Sequence, residues 1–314
     1  MKFVITGALG HIGSYILRRL PEHYPGCEIV LLDNLMTQRY SSLFRLPTTA
    51  SYQFHELDVT EADLAPHIEG ADFVLHLAAI TNAAGSFSNQ EEVENNNFHA
   101  TQRVASACLR QGTPLLHLSS TSVYGTQKDT VAEDCSESEL QPQSPYAETK
   151  LREEKYLQEL AENKDLSFVI CRFGTICGSS QGMRFHTAVN KFCWQAVMRK
   201  PITVWTTALH QKRPYLALDD AFRAMTFIVE NRLFNSEIYN VLTGNLTVND
   251  IVEMIRTHVP DLEVEFVDTE IMNQLSYEVE DKKIRDCGLE LSGSIGACIE
   301  DTIELLKGIE NKHG

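Results

Sequence analysis

In the first half of the chain, short apolar runs alternate with longer segments whose apolar residues recur at helical spacing. This alternation predicts parallel strands joined by crossover helices. The predicted strands cover residues 2–6, 29–32, 52–57, 73–77, 115–119 and 168–172. Together they predict a doubly wound parallel α/β sheet, which binds ligands beyond the carboxyl ends of its strands.

After residue 172 the alternation becomes less regular. Helices are predicted at 187–200, 219–230, 248–258 and 295–306, and strands at 202–205, 215–218, 238–241 and 264–267. Thr247 is a candidate N-cap for the third of these helices. A chain of 314 residues exceeds what one simple core usually organises, so we expect a domain over 1–172 and a smaller α/β domain over 173–314. The segment at about 213–235 is a candidate for return to the first sheet.

The charge and composition of the chain argue against several classes of function. The chain has 27 Lys and Arg against 43 Asp and Glu, a net charge of −16, which disfavours nucleic acid as a partner. No apolar run is long enough to span a bilayer, and the N-terminus shows no basic region or cleavage site, so we expect a cytoplasmic protein with no membrane partner. The eight cysteines show no CxxC pair, so we expect neither a metal site nor disulfides.

A glycine-rich loop follows the first predicted strand. Gly7, Gly10 and Gly13 form a GxxGxxG pattern that runs directly into a helical pattern. Glycines at these places permit a tight turn, a close approach of backbone to pyrophosphate and close packing of helix on sheet, while the helix N-terminus offers free N–H donors. The loop therefore predicts a dinucleotide site.

Acidic residues end the next two strands. Asp33 can accept hydrogen bonds from the adenosine ribose and would repel a 2′-phosphate, which favours NAD over NADP. Arg39, a few residues later, leaves NADP open. Asp58, at the end of the third strand, is placed to meet the adenine amino group.

Tyr146 and Lys150 lie one turn apart in a helix that is predicted to start at Ser144 and Pro145. A cation beside the phenol favours the phenolate, which can act as general base and acid. Upstream, the fifth strand ends in a cluster of hydroxyls, and Ser120 there can hydrogen-bond a reacting oxygen. These residues predict an acid–base centre at the carboxyl edge of the sheet.

The sequence resembles the extended short-chain dehydrogenase/reductases, in particular the sugar-nucleotide epimerase/dehydratase group typified by UDP-galactose 4-epimerase. The resemblance runs through nearly the whole chain. It is carried by GALGHIG, LDNL, LDV, HLAA, NFHAT, SSTSVYG, PYAETK, RFGTICG and HQKRPYLALDD. It implies a Rossmann-type NAD-binding domain over 1–172 and a substrate-binding domain over 173–314.

The resemblance also implies roles for individual residues. The catalytic residues would be Ser120, Tyr146 and Lys150, since the family's catalytic Ser or Thr stands five residues before the glycine of SSTSVYG. Besides Tyr146 and Lys150, the implied cofactor contacts are Gly7, Gly10, His11, Ile12, Gly13, Asp33, Asn34, Asp58, Val59, Leu77, Ala78, Ala79 and Asn97. The implied substrate contacts are Thr81, Ser120, Tyr146, Thr175, Arg184, Asn190 and Arg213.

Three departures from the family pattern bear on the reaction. Thr175 stands where the family usually has Asn, and Pro214 follows Arg213 where the family has Asp. Thr121 and Ser122 follow Ser120, where the 4,6-dehydratases have the Asp-Glu pair that removes a hydroxyl as water.

Because that acid pair is missing, we expect a 4-epimerase of a nucleotide-diphosphate sugar with NAD as its cofactor. An NAD(P)H-dependent keto-sugar-nucleotide reductase or dehydrogenase, and more remotely a non-enzymatic NAD-binding regulator, remain open. By analogy with the family, we expect a homodimer with a four-helix interface built from the helices at about 90–109 and 145–161.

Overall fold

The computed structural model describes residues 1–81, 85–125, 129–268 and 276–309. The strands of these ranges are Lys2–Thr6 (β1), Glu28–Asp33 (β2), Ser51–Glu56 (β3), Phe73–His76 (β4), Leu115–Ser120 (β5), Thr130–Val131 (β6), Phe168–Phe173 (β7), Thr175–Cys177 (β8), Ile202–Trp205 (β9), Lys212–Ala217 (β10), Ile238–Val241 (β11), Gly244–Thr247 (β12), Val264–Val267 (β13) and Glu278–Val279 (β14). The α-helices are His11–His23 (α1), Ala65–Ile68 (α2), Gln90–Gln111 (α3), Pro145–Lys164 (α4), Ala188–Val197 (α5), Leu218–Glu230 (α6), Val248–Arg256 (α7), Lys282–Asp286 (α8) and Ile295–Leu306 (α9).

The main sheet has seven strands in the order β11-β7-β5-β4-β1-β2-β3. Every neighbouring pair in it is parallel. The chain moves outward from β1 to β3 and then restarts on the other side of β1 with β4. The strand order therefore reverses between β1 and β4, which is where doubly wound sheets bind their ligands. The predicted fold class is confirmed.

Helices cover both faces of this sheet because its strands are apolar on both sides. On one face, α1 and α6 bury Ile16, Leu17 and Met225 against Phe3 and Ile5 of β1. On the other face, α3 and α4 pack side by side over the residues of β1 and β2 that point the opposite way. Because successive side chains of each strand point to opposite faces of the sheet, they pack into two separate cores.

A third core lies in the later part of the chain. There β8, β10 and β12 form a three-stranded sheet, and β9 pairs with β13. Helices α5, α7 and α9 bury their apolar faces around these strands. The short strand β14 pairs with β6, which belongs to the first half of the chain.

Two later elements join the seven-stranded sheet. Helix α6 packs on its face, and β11 extends its edge beside β7. The sequence analysis places residues 238–241 in the smaller domain, whereas the structure pairs them with 170–173. An apolar strand can pair with any parallel edge of matching period, so its pattern does not reveal which sheet it joins. The two-domain division at residue 172 stays a prediction.

The helix caps predicted at Ser144 and Thr247 are confirmed, whereas α6 begins at Leu218 with Ala217 as its N-cap, so Asp219 lies within the helix. The hydroxyl of Ser144 accepts a hydrogen bond from Ala147 N at the start of α4, with Pro145 in the first helical position. Thr247 forms a capping box with Asp250 at the start of α7. Among the helices of the described ranges, none combines the length with the apolar composition that a bilayer span requires.

Candidate active site

The glycine loop between β1 and α1 is tightly constrained. Gly7 has a φ of +63°, and a Cβ on it would lie 2.7 Å from the backbone of Ala78. A Cβ on Gly13 would lie 2.7 Å from the carbonyl carbon of Ala8. Gly7 must therefore be glycine because of its backbone conformation and because the end of β4 approaches it closely. Gly13 must be glycine because α1 packs closely on the loop. This arrangement leaves the N-terminus of α1 facing the carboxyl edge of the sheet.

Polar side chains meet at the ends of β2 and β3. Asp33 Oδ2 accepts a hydrogen bond from Leu9 N at 3.0 Å, and so ties the glycine loop to β2. Asn34 Nδ2 donates to Asp58 Oδ2 at 2.9 Å. Burial raises the pKa of the Asp58 carboxyl, but hydrogen bonds from Thr60 and Asn34 outweigh burial and hold it below its ordinary value. The structure thus brings these predicted cofactor residues to one edge; neighbouring Val59 is buried.

Asn97 fixes the segment that follows β4. Its side-chain amide accepts from Ile80 N at 2.7 Å and donates to Ile80 O at 2.9 Å. Thr6 Oγ1 accepts from the backbone N–H groups of Leu77 and Ala78 at 3.2 Å. Residues 77–80, including Ala79, are therefore held beside the glycine loop, where the sequence predicts the nicotinamide half of the cofactor.

Tyr146 and Lys150 lie on the first turns of α4. Tyr146 is half-buried and its backbone N–H donates to Ser86 Oγ at 3.4 Å, whereas Lys150 is buried. Burial lowers the pKa of the Lys150 ammonium, but Glu153 and the neighbouring Tyr146 outweigh burial and hold it above its ordinary value. Lys150 is therefore charged at neutral pH and electrostatically coupled to the phenol.

Ser120 ends β5 on the same edge. Its hydroxyl oxygen accepts hydrogen bonds from Ser122 N at 3.1 Å and Ser122 Oγ at 2.9 Å. Helix α4 packs against β5 and against the 3₁₀ turn Thr121–Val123 that follows it. The turn and α4 thus place Ser120, Tyr146 and Lys150 on neighbouring elements at the carboxyl edge.

Two buried residues beside Lys150, Glu153 and His117, are not predicted as site residues from the sequence. Glu153 Oε2 lies 2.8 Å from Lys150 Nζ and 3.0 Å from His117 Nε2, and the side chains of Glu153 and His117 are 0% exposed. Burial raises the pKa of Glu153, but Lys150 and His117 outweigh burial and hold it below its ordinary value. A histidine inside the apolar run of β5 and a glutamate three residues after Lys150 are the signals that could have located this pair.

A second buried ion pair supports the turn after β5. Arg172 donates to both carboxylate oxygens of Glu154, with the shortest contact 2.6 Å from Nη2, and its Nη1 donates to Tyr124 Oη at 2.8 Å. The Ser119 hydroxyl also donates to Glu154. Tyr277 Oη donates to the Tyr124 carbonyl at 3.2 Å. This network fixes the backbone on both sides of the turn that presents Ser120.

Cationic side chains surround the glycine loop. His11, the first residue of α1, is 4% exposed and its Nδ1 lies 2.9 Å from Ser180 Oγ, while its buried Nε2 has no hydrogen-bond partner among the described residues. Burial, together with Arg184 and Arg39, lowers the pKa of His11 to about 3. Burial and Arg39 likewise lower the pKa of Arg184 to about 10, although the nearby Tyr146 favours the charged form. An anion at the N-terminus of α1 would relieve this repulsion.

The predicted substrate residues fall into two groups. Arg184 Nη1 donates to Thr81 Oγ1, so these two residues meet beside the active-site edge. Thr175 lies opposite Tyr215 in the β8–β10 pair, and Arg213 is two residues earlier in β10, with its guanidinium 5.7 Å from the Tyr277 ring centroid. These residues stand at the rim of the same edge.

Asn190, a predicted substrate residue, is a buried side chain of α5. Its side chain is 0% exposed and hydrogen-bonds the backbone of Gly178 and the Arg184 carbonyl. These hydrogen bonds hold the segment that carries Arg184. A buried amide with backbone partners on both its oxygen and its nitrogen organises the loop. The direct substrate contact of Asn190 stays a prediction.

The residues present fit a bound dinucleotide. Gly7 and Gly13 leave no room for side chains at the loop, the N-terminus of α1 presents His11 with an unpartnered ring nitrogen, and Arg39 and Arg184 supply positive charge there. A diphosphate would receive donors from all of these groups. Tyr146 and Lys150 lie on α4, which packs against β5 at the carboxyl edge of the same sheet.

Comparison with known proteins agrees with this geometry. Residues 3–241 match the NAD dependent epimerase/dehydratase family. An uncharacterized UDP-glucose epimerase of Bacillus subtilis is 29% identical over 249 residues, which cover 77% of this chain and 76% of that protein. A trifunctional UDP-glucose 4,6-dehydratase/UDP-4-keto-6-deoxy-D-glucose 3,5-epimerase/UDP-4-keto-L-rhamnose-reductase of Arabidopsis thaliana is 28% identical over 299 residues, and the chain spans 44% of its length.

Solved structures show the same fold. UDP-glucuronic acid 4-epimerase from Bacillus cereus, in complex with UDP-glucuronic acid and NAD, superimposes with a TM-score of 0.86 at 24% identity and covers 98% of this chain and 99% of its own. MoeE5 in complex with UDP-glucose and NAD gives a TM-score of 0.84 at 25% identity over 97% and 98% of the two chains.

The match over residues 3–241 confirms both the predicted resemblance and the prediction of an enzyme, and the family's dependence on NAD agrees with the predicted cofactor. The chain belongs to the NAD dependent epimerase/dehydratase family, within the extended short-chain dehydrogenase/reductases.

Proposed function

We propose that this protein is an NAD-dependent epimerase of a nucleotide-diphosphate sugar, which acts at C4 through a transient 4-keto sugar. The observation that carries the proposal is the charged, buried Lys150 one turn after Tyr146, on a helix packed against the strand that ends at Ser120. Related proteins that bind UDP-sugars together with NAD support the substrate class.

Tyr146 must be a phenolate before the reaction begins, and the Lys150 ammonium stabilises this form. The phenolate then takes the proton of the C4 hydroxyl. Ser120 donates a hydrogen bond to the sugar oxygen as a carbonyl develops there. When bound, NAD would supply the acceptor and donor of the C4 hydride, and the 4-keto sugar must rotate between the two transfers so that its other face is reduced. Tyr146 then gives its proton back to the C4 oxygen.

The residues after Ser120 argue against dehydration. Thr121 Oγ1 is buried and donates to the Phe173 carbonyl at 3.3 Å, and Ser122 Oγ donates to Ser120. Neither side chain is an acid, and both hydroxyls are committed to hydrogen bonds within the protein. Elimination of water needs a group that protonates the leaving hydroxyl, and this turn supplies none.

The diphosphate and sugar would bind at the rim of the carboxyl edge. Arg184 and Arg213 suit a diphosphate because the guanidinium fork pairs with phosphate oxygens in two-point contacts. Thr81 and Thr175 offer hydroxyls next to these arginines. On a chain of net charge −16, such local cations are what an anionic substrate requires.

A substrate screen tests the proposal. Purified protein is incubated with UDP-, GDP-, CDP- and dTDP-sugars, and the products are separated by chromatography while absorbance is followed at 340 nm. An epimerase converts one sugar into its C4 epimer and retains NAD through purification, without a net absorbance change. A net absorbance change with stoichiometric product identifies the dehydrogenase or reductase alternative and contradicts the epimerase.

Two matched tyrosine variants test the site. Tyr146→Phe removes the acid–base group, and we expect turnover to fall by roughly 10²- to 10⁴-fold. Tyr156→Phe makes the same change on the same helix, where the ring packs against Phe98 with centroids 5.6 Å apart, and should stay within about twofold of wild type. Full activity in Tyr146→Phe would refute the assigned mechanism and favour a regulator.

A further inference from the structure

The buried pair of Glu153 and His117 stands directly against the Lys150 ammonium. Glu153 Oε2 is 2.8 Å from Lys150 Nζ and 3.0 Å from His117 Nε2, while the Lys150 side chain is 6% exposed. Because these side chains are closed to water, the carboxylate and the ammonium interact without solvent screening. Glu153 Oε1 has no hydrogen-bond partner among the described residues, and His117 Nε2 contacts Glu153 Oε2 at 3.0 Å without hydrogen-bond geometry. The ion pair therefore dominates the surroundings of this carboxylate.

The other titratable groups around Lys150 do not replace Glu153. From α4, Tyr146 and Glu154 face it, and Glu154 is bound by Arg172 through both carboxylate oxygens. From β5 and β4, His117 and His76 face it, and burial lowers the pKa of both rings below the ordinary histidine value, so both are neutral at pH 7. Among the described residues around Lys150, Glu153 is therefore the negatively charged group that pairs with its ammonium.

We propose that Glu153 is a positioning residue that keeps Lys150 protonated and fixed in place up to alkaline pH, and that His117 holds Glu153 in this position. The proposal rests on the proposed function, since it refines how Lys150 serves that reaction. Burial by itself favours the neutral amine. Without the carboxylate, Lys150 would lose its proton at a lower pH and would no longer stabilise the phenolate of Tyr146.

The first test is the pH profile of turnover in Glu153→Gln, which keeps the shape of the side chain and removes its charge. We expect the alkaline limb of kcat to move to lower pH by at least about one unit. Glu153→Asp, which retains the charge, should restore most of the alkaline activity. Glu159→Gln removes the same charge from an exposed position of α4 and should leave the limb unchanged.

A purely structural role for Glu153 predicts a different profile. Activity would then fall by a similar factor at every pH, and the alkaline limb would stay where it is in wild type. That result would overturn the proposal. His117→Leu is a second variant that retains the carboxylate and removes its other partner, and it should move the limb in the same direction by a smaller amount. An unmoved limb in this variant would contradict the part assigned to His117.

The second test does not depend on catalysis. The protonation of Lys150 is followed by NMR in the NAD-bound protein labelled with ¹³C-lysine, with the signal assigned through Lys150→Arg. We expect the titration midpoint to fall in Glu153→Gln and not in Glu159→Gln; an unchanged midpoint overturns the proposal. A protein that converts none of the sugar nucleotides contradicts the proposed function, whereas this titration still decides the role of Glu153.

Discussion

Gly13 is the position where one added methyl group tests the packing of the cofactor loop most directly. A Cβ there would lie 2.7 Å from the carbonyl carbon of Ala8 and 2.9 Å from its Cα. Both atoms belong to the backbone of the glycine loop, so no side-chain rotation can relieve the contact. Gly13→Ala must therefore move α1 away from the loop or distort the loop itself.

The expected cost follows from two opposing effects. Overpacking by a methyl group typically costs about 1–3 kcal/mol, and a backbone neighbour places this site at the upper end of that range. Replacing glycine by alanine within a helix returns up to about 1 kcal/mol. We therefore expect Gly13→Ala to lower the free energy of unfolding by about 2 kcal/mol.

Urea unfolding measures this difference, and NAD titration measures its effect on the loop. Gly296→Ala is the matched control, because Gly296 also lies in the first turn of a helix, α9, and the nearest atom to its added Cβ is Ser294 Oγ at 3.5 Å. The control should be neutral or slightly stabilised and should bind NAD as wild type does. If Gly13→Ala matched this control in both measurements, the close-packing argument would be wrong.

Other predictions follow from the buried charges and the helices. Arg172→Met leaves the 1%-exposed side chain of Glu154 without its cation and should destabilise the fold by about 3–5 kcal/mol in urea unfolding. Addition of Glu154→Leu removes the unpaired charge and should recover part of this loss. If the double variant recovered no stability, the penalty would not come from a buried charge. The folded pKa of His11, about 3, lies below the ordinary histidine value of 6.5, so the unfolded chain binds the extra proton and stability falls as pH drops through this window. In nucleotide-free protein, His11→Gln should remove about 1.4 kcal/mol per pH unit of this dependence near pH 5, and an unchanged slope would contradict the assignment. A homodimer built from α3 and α4 should scatter light as about twice 35.4 kDa at micromolar concentration, and a monomeric mass would contradict it.

The cofactor half of the site was predictable because its signals are local. Gly7 to Gly13, Asp33 and the Tyr146–Lys150 spacing each lie within one strand–loop–helix unit or one helix, so their positions follow from secondary structure alone. The order of the strands then brings these units to one edge without further information. The caps at Ser144 and Thr247 were predictable for the same reason.

Long-range pairings were not predictable in this way. His117 and Glu153 meet because β5 and α4 pack together, so the sequence of neither element alone shows this contact. Likewise β11 reads as an ordinary strand, and only tertiary structure assigns it to the edge beside β7. The sequence around Asn190 equally suits a residue that binds a ligand and one that holds a loop, and the backbone hydrogen bonds of its buried amide are seen only in the structure.

The contact between residues 180–182 and the glycine loop links the two halves of the chain. Gly182 N donates to Ser14 Oγ at 2.8 Å, and Ser180 Oγ lies 2.9 Å from His11 Nδ1. The same segment continues to Arg184, so whatever shifts the loop also shifts that arginine. Under the proposed function, any effect of a dinucleotide bound at this loop on the affinity for the sugar nucleotide at Arg184 must be matched by an equal effect of the sugar nucleotide on dinucleotide binding.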